Sequence, residues 1–378
     1  MKLQDILDKR HLKFVGKQAP EESTSLSRLA VRRFCRNKLS VASLVVIGLF
    51  VLMAVLGYLI TPDSTPYCNQ QYLELATLKP FSKVSFTYVD DSLPTEKRGW
   101  IHKMLFGEPL QYTAIPTHKI TYSADSAYIE TYTGSIPNDG EIRAVGRKQI
   151  VGTENRTFVL GTDAYGRDVL SMIMIGSRVS LSVGFIAVAI ALLIGITLGA
   201  LAAYYGGWVD NLITWFINVV WSIPTVLLVI AITFALGKGF WQVFIAVGLT
   251  MWVDIARVVR GQVYSIKEKE YIEATRALGF STFRTIFRHI LPNITGAVIV
   301  VTASNFASAI LLEAGLSFLG IGVQPPMPSW GTMVKENYSY ILLDSAYLAL
   351  LPGVAIMLIV LAFMLLGNGI RDALDIKS

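Results

Sequence analysis

Val41-Ala42-Ser43-Leu44-Val45-Val46-Ile47-Gly48-Leu49-Phe50-Val51-Leu52-Met53-Ala54-Val55-Leu56-Gly57-Tyr58-Leu59-Ile60 runs without a single formal charge. A helix rises about 1.5 Å per residue, so this run is about 30 Å long, the thickness of a bilayer's hydrocarbon core. Within that core a helix satisfies its own backbone hydrogen bonds, which an irregular chain cannot do. Working outward, the same reading falls on Val179–Tyr204, Leu212–Leu236, Phe240–Val253 (reaching towards Val259), Ile294–Leu312 and Ala346–Gly367. The short turn Tyr205-Gly206-Gly207-Trp208-Val209-Asp210 separates the second run from the third. The expected fold class is an all-α integral membrane protein with six transmembrane helices.

Composition agrees. The 378-residue chain is 53% apolar and 16% charged, against about a quarter charged in a soluble domain. Its mean hydropathy is +0.52. The deficit of charge lies in the apolar runs, whereas residues 62–178 have ordinary soluble composition. The chain therefore divides into a basic, amphipathic segment 1–40, a first span 41–60 and an insert 61–178. A membrane core 179–367 follows, with a polar loop 261–292 inside it, and then a tail 368–378.

Orientation follows from the lysines and arginines of the short flanks. Arg28, Arg32, Arg33, Arg36 and Lys38 precede the first span. Arg257, Arg260, Lys267, Lys269, Arg276, Arg284 and Arg288 follow the fourth, and Arg371 and Lys377 follow the last. With six spans all three groups share one side, so both termini and the polar loop are expected in the cytoplasm and the insert outside. The net charge of +6 sits beside the apolar runs, which points to lipid and topology and away from nucleic acid. The first run is too long for a signal peptide and reads as an anchor. Ahead of it, Leu26, Leu29, Ala30 and Phe34 share one helical face, which suits a helix in the headgroup plane or a basic juxtamembrane tail. Cys35 and Cys68 flank the first span, so no internal disulfide is expected.

In the insert, Val84–Val89 and Ala127–Tyr132 alternate with period two, and turn residues such as Pro137-Asn138-Asp139-Gly140 separate such stretches. That pattern predicts a small β-rich domain. It contains no metal-ligand spacing and no nucleophile constellation. Partner docking and structural elaboration are both open for it.

The polar loop holds Glu270-Tyr271-Ile272-Glu273-Ala274-Thr275-Arg276-Ala277-Leu278-Gly279, and later His289-Ile290-Leu291-Pro292-Asn293. Residues 268–278 favour a helix, and Gly279 stands where a left-handed cap would end it. Ser281 can cap a second helix, and Pro292 is expected to stop or redirect the chain as it re-enters the membrane. From these residues alone, a rigid cytoplasmic helix–turn–helix and a simple re-entry hairpin are equally open.

This segment resembles the EAA loop of permease subunits in binding-protein-dependent ABC importers, in which Glu-Ala-Ala is followed by Gly and then by Ile-x-Leu-Pro. Glu273, Ala274, Gly279, Leu291 and Pro292 match; Thr275 replaces a small residue, and His289 replaces the general Ile in the manner of the peptide and nickel branch. Leu160-Gly161-Thr162-Asp163-Ala164-Tyr165-Gly166-Arg167-Asp168-Val169-Leu170-Ser171 is similar to the signature of the C-type subunit of dipeptide and oligopeptide permeases. So are Leu316–Pro326 with Ser329-Trp330-Gly331, and Gly369–Asp375. The resemblance covers residues 160–378 and the first span, and the insert 62–158 is longer than the family pattern. It implies that Glu273, Ala274, Thr275, Gly279, Leu291 and Pro292 form the coupling loop that enters a groove on an ATPase subunit.

Charges inside a membrane are costly and are functional candidates by default. Asp254 precedes Arg257 by three residues and reads as a local helical pair. Glu313 lies about nineteen residues into the fifth span, roughly 28 Å along the axis. Glu313 and Asn305 are candidates for the translocation path, with helix–helix locking and hydrogen bonding as the structural alternatives. Pro224, with Gly237 and Gly239 after it, is a candidate kink or hinge. The Pro325–Trp330 loop is expected to face outward, either towards a substrate-binding protein or as a rigid turn.

No Gly-x-x-x-x-Gly-Lys-Ser/Thr loop is present, so the chain is expected to be no enzyme and to have no catalytic residues. The resemblance implies a multi-pass bacterial inner-membrane permease that exposes a pathway alternately to each side for di- and oligopeptides. It implies, as partners, a second permease, two ATPase subunits holding ATP and magnesium, an external binding protein, the bilayer and a short peptide. No cofactor, metal or nucleic acid is expected on this chain. A nickel or metal-chelate importer is the alternative of the same class, although His11, His102, His118 and His289 all lie outside the spans. An ion-coupled secondary transporter would need repeated intramembrane carboxylates and internal symmetry, and neither is evident. An intramembrane enzyme would need a reactive constellation at membrane depth, and an anchored external domain would need only one span.

Overall fold

The computed structural model describes residues 26–90, 99–134, 139–237 and 239–374. Residues 1–25 of the basic segment, Pro137 and Asn138 of the expected turn, and Asp375 and Lys377 of the tail lie outside the described residues.

Helix α1 (Leu26–Arg36) leads into α2 (Lys38–Ile60), whose N-terminus is capped by the Asn37 side chain accepting from the N–H groups of Leu39 and Ser40. This cap satisfies donors that a helix start otherwise leaves unpaired. Leu44, Leu49, Leu52 and Val55 of α2 are exposed, as befits a helix that faces lipid. The insert follows, with strands β1 (Ser82–Val89), β2 (Thr113–Tyr122), β3 (Ser126–Thr131), β4 (Ile142–Gly146) and β5 (Ile150–Phe158), and a short helix α3 (Trp100–Phe106) between β1 and β2. All four neighbouring pairs are antiparallel, in the order β4-β3-β2-β1-β5. Phe86 of β1 stands opposite Pro116 on one side and Glu154 on the other. Its ring forms the insert's core with Tyr72, Leu75, Val84, Ala114 and Phe158.

The membrane core contains α4 (Val169–Tyr205), α5 (Gly207–Ser222), α6 (Thr225–Leu236) and α7 (Phe240–Lys267). After these come α8 (Glu270–Ala277), α9 (Thr282–Phe318), α10 (Trp330–Asn337) and α11 (Tyr347–Leu374). Among the described residues, five helices (α2, α4, α7, α9 and α11) are long and apolar enough to cross a membrane. The third apolar run differs from its expectation as one helix: α5 and α6 meet at 93°. The break has a local cause. Ile223, immediately before Pro224, is extended at φ −89°, ψ 128°, because a proline disfavours helical geometry in the residue ahead of it and itself offers no N–H. Counting that bent pair as a span gives the sixth.

The tightest seam joins α4 to α7. A Cβ at Gly195 would stand 2.7 Å from the Trp252 carbonyl oxygen, and one at Gly199 2.5 Å from that of Ala256. Small residues one turn apart let two membrane helices approach this closely. The insert is fastened to the core by Arg178 of α4, whose guanidinium donates to the carbonyls of Ala54 and Val55 on α2 and of Met104 and Leu105 on α3. At the opposite end of the core, Gly369 of α11 packs against Ser40 and Phe34.

Candidate coupling hairpin and translocation cleft

The hairpin begins with α8. Ile272 and Thr275 point inward and are buried, and the Thr275 hydroxyl donates to the Ile272 carbonyl at 2.7 Å and lies 3.5 Å from the Thr285 hydroxyl on α9. Gly279 has φ +73°. The Phe280 N–H then closes onto the Thr275 carbonyl at 3.0 Å, and the Gly279 N–H onto that of Arg276 at 2.9 Å. This is the paired closure of a Schellman cap, which needs the left-handed conformation that glycine adopts freely. Phe280 stacks on His289 at 5.7 Å, and Arg284 lies over the Phe280 ring at 4.2 Å. The turn is thus fixed from both sides.

Glu273, Ala274 and Gly279 face outward. Beside them is an apolar tip that sequence reasoning missed: Leu278 is 72% exposed and Phe283 69%, and Phe287 lies 4.2 Å from Phe283. The signal was present as large apolar side chains on a polar loop. Thr275 is brought inward, onto the hairpin's own support. Leu291 and Pro292 lie at the far end of the hairpin, lining an apolar groove with Ile196 of α4. The expected stop at Pro292 is not found, because α9 continues through it. A π-helical stretch, Thr285–Ile290, directly precedes it, with the Leu291 N–H reaching back to the Ile286 carbonyl. The Asn293 side chain takes up the His289 carbonyl at 2.6 Å. Wider helical turns of this kind accommodate a residue that lacks an N–H.

Above the hairpin, α5 is locked to α7. The Asp210 carboxylate receives Arg260 Nε at 2.6 Å and Nη2 at 2.7 Å, with Tyr264 at 3.2 Å. The two-pronged geometry makes this a strong contact. No spacing rule links residues fifty positions apart, so the pair was invisible in the sequence.

The 93° bend opens a cleft of about 440 Å³. Its walls are Val220, Trp221, Ile223, Thr225, Val226 and Leu228 around the bend, Thr250, Met251, Val253 and Asp254 of α7, and Ser308, Leu311 and Leu312 of α9. The expected Asp254–Arg257 pair is not made as a salt bridge. Arg257 instead lies over the Trp221 ring, 4.1 Å from its centroid, where the ring face attracts the cation. Asp254 is left exposed at the cleft wall. Asn305 and Glu313 lie elsewhere. Asn305 donates to the Met251 carbonyl at 3.3 Å, joining α9 to α7. Glu313 is fully buried and accepts from Ser180 of α4 at 3.1 Å and from Ser317 at 2.7 Å.

The remaining motif residues form a second seam, between the insert and the core. Asp163 accepts from the N–H groups of Tyr165 and Arg167, both at 2.9 Å, and from Arg167 Nε at 2.7 Å. Arg167 also reaches Glu336 of α10 at 2.6 Å. Burial works to lower the Arg167 pKa, but the Asp163 and Glu336 carboxylates outweigh it, and the net shift is upward. Asp168 caps α4 by accepting from the Ser171 N–H at 2.8 Å, and burial raises its carboxyl above the usual range. Gly161 and Gly166 are both left-handed, at φ +77° and +73°, and press against the carbonyls of Leu78 and Tyr72. Trp330 is fully buried and donates to the Ile173 carbonyl at 3.0 Å, while a Cβ at Gly331 would stand 2.6 Å from the Ala314 oxygen. Trp330 and Gly331 are therefore packed inside the protein. Among the described residues, no group of three or more His, Cys, Asp and Glu side chains is arranged to hold a metal ion.

Residues 195–377 match the model of the binding-protein-dependent transport system inner membrane component family, and residues 25–80 match that of the N-terminal transmembrane domain of oligopeptide transport permease C. The glutathione transport system permease protein of Pectobacterium atrosepticum is 43% identical over 218 residues, which are 58% of this chain and 72% of that protein. The dipeptide transport system permease protein of Alkalihalophilus pseudofirmus is 44% identical over 217 residues, 57% of this chain and 71% of that protein. That of Bacillus subtilis is 42% identical over 217 residues, with 57% and 68% covered.

Proposed function

The chain belongs to the binding-protein-dependent transport system inner membrane components, and on that premise we propose that it forms half of the pathway by which an ATP-driven importer moves di- and oligopeptides. It is a multi-pass inner-membrane permease subunit and no enzyme; ATP hydrolysis belongs to a separate subunit of the transporter. The peptide cargo is supported by the relatives named for dipeptide and glutathione transport. In this reading two ATPase subunits hold ATP and magnesium, a second permease completes the pathway, and an external binding protein delivers the peptide. Both termini and the α8 hairpin face the cytoplasm, as the clustered lysines and arginines favour, and the insert faces outward.

The observation that carries the reading is mechanical. The hairpin is continuous with α7 on one side and α9 on the other, and those two helices supply Met251, Asp254, Ser308 and Leu312 to the cleft. Its turn is closed by backbone bonds, and the tip residues Leu278, Phe283 and Phe287 are exposed among the described residues. Glu273, Ala274 and Leu278 present a surface on which an ATPase subunit can push. A displacement of the hairpin then moves both cleft walls as rigid levers, and the Pro224 bend absorbs the change.

The test is ATP-driven uptake of radiolabelled tri-alanine by the assembled transporter in liposomes. Glu273→Lys, which puts the opposite charge on the pushing surface, abolishes uptake while leaving membrane insertion and the amount of chain unchanged. Normal uptake by that variant at wild-type protein levels would remove the hairpin from the mechanism.

A further inference from the structure

We propose that the cleft at the α5–α6 bend is a binding site for a substrate ammonium group, with the Asp254 carboxylate as its specificity-determining anion. The inference rests on the importer reading above and names what the pathway recognises. Asp254 lies where the apolar part of α7 gives way to its basic end, at the margin of a membrane-spanning segment, where a charge is costly unless it meets a partner or works on a substrate. Arg257, three residues on, is turned onto Trp221 at 4.1 Å and makes no salt bridge with it, so its charge acts on Asp254 only through space. The next, Arg260, is engaged with Asp210 through two bonds of 2.6 and 2.7 Å. The neighbouring Thr250 hydroxyl is committed to the Val247 carbonyl at 2.8 Å. The Asp254 carboxylate therefore stands at the cleft wall with its charge uncompensated by a direct ion pair among the described residues.

The rest of the wall is mostly apolar, through residues such as Val226, Met251 and Leu311, with the small hydroxyls of Thr225 and Ser308, and suits side chains of varied shape. A cleft of about 440 Å³ is of the size that holds small ligands. An amino-terminal ammonium, the one cation every unmodified peptide carries, fits this arrangement whatever the peptide's sequence. A pathway that must pass many peptides has reason to read that group and ignore the side chains.

The experiment is equilibrium binding of radiolabelled tri-alanine and N-acetyl-tri-alanine to the detergent-solubilised transporter, purified through a tag on this chain and without its binding protein. The wild type binds the free amine at least about tenfold more tightly than the acetylated form, the weight of one charge-assisted hydrogen bond. Asp254→Asn brings the two affinities together, and Asp254→Glu keeps them apart. A variant that had merely lost packing would weaken both peptides and leave their ratio unchanged, and that outcome would overturn the assignment. So would equal binding of the two peptides by the wild type, or tri-alanine binding that is absent altogether. Uptake of tri-alanine with ATP and the binding protein present reports the importer reading separately, so uptake without an affinity ratio sinks this inference alone.

Discussion

Replacing Arg167 with methionine tests whether the outer seam is held by its buried ion pair. The Arg167 side chain is 8% exposed and that of Asp163 3%, so the contact lies away from solvent. Methionine keeps most of the aliphatic stem and removes the guanidinium. Asp163 would retain two backbone N–H donors, from Tyr165 and from position 167 itself, and lose the Nε bond and the opposing charge. Glu336 is 27% exposed and can turn to water, so its loss weighs at most about 1 kcal/mol. Stranding Asp163 weighs more. A broken buried pair costs about 3–5 kcal/mol, and the surviving amide bonds bring the expected total to about 2–4 kcal/mol. Thermal unfolding of this 378-residue chain in the solubilised transporter should then fall by about 2–5 °C. The double variant Asp163→Asn, Arg167→Met should recover part of that loss, because no charge is left behind. A melting point for Arg167→Met that is unchanged from wild type would refute the reasoning.

Gly199→Leu drives a side chain into the Ala256 carbonyl, which a Cβ alone would approach to 2.5 Å; overpacking of this kind costs about 1–3 kcal/mol, and thermal unfolding of the purified chain should register it. Cys35 is exposed and Cys68 buried, and burial raises the Cys68 thiol far above its ordinary value. A membrane-impermeant maleimide should therefore label Cys35 alone, and only from the cytoplasmic side; labelling from outside would reverse the topology. Burial raises the carboxyls of Asp63 and Asp168, and the charge of Asp63 raises Asp168 further. Because their folded values exceed the ordinary 3.8, their contribution to stability is fully present below 3.8 and is lost as pH rises through the raised values. Asp63→Asn should flatten that part of the stability–pH curve, and an unchanged curve would count against the shift.

How much of this was legible depended on whether the controlling interaction was local. The spans were readable because twenty apolar residues have few other solutions in water or lipid. The Gly279 turn was readable because a left-handed cap is a property of one residue and its neighbours. The strands of the insert announced themselves by period two, in Val84–Val89 above all. The bend at Pro224 was only half visible: a proline signals a break, but not that the next helix leaves at 93°. Pro292 shows the reverse, since the Asn293 side chain and the π turn let the helix continue, and neither follows from the proline. Least legible were contacts across the fold. Asp210 and Arg260, or Trp330 and Ile173, meet only because α5 packs on α7 and α10 on α4 as they do. Asp254 was half legible for the same reason. Helical spacing offered it Arg257, whose charge still acts on it through space, and a tryptophan on another helix draws the guanidinium out of direct salt-bridge contact.

These cross-fold contacts also say where the molecule can move. The outer seam is fixed by Asp163, Arg167, Glu336 and the buried Trp330. The inner ends of α4, α5 and α7 are fixed by Arg260 on Asp210 and by Lys267 on the Ala203 carbonyl at 3.1 Å. Between them, around the cleft, α9 and α7 share the Asn305 bond at 3.3 Å, near the long end of useful hydrogen-bond geometry. Helix α6 starts after a broken turn at Pro224, with no side-chain cap. Charged, two-pronged contacts resist displacement, whereas a long single bond and an uncapped bend yield to it. A push on the hairpin is therefore expected to leave α4, α5 and α7 together as one body. It parts α6 and α9 from α7 at the cleft, where Asp254 lies. Exchanging Asn305 for leucine removes a polar tie between α9 and α7 beside that cleft and should make the push easier, raising the rate of ATP-driven uptake where opening limits it. A slower rate with unchanged protein levels would show that Asn305 guides the motion and does not restrain it.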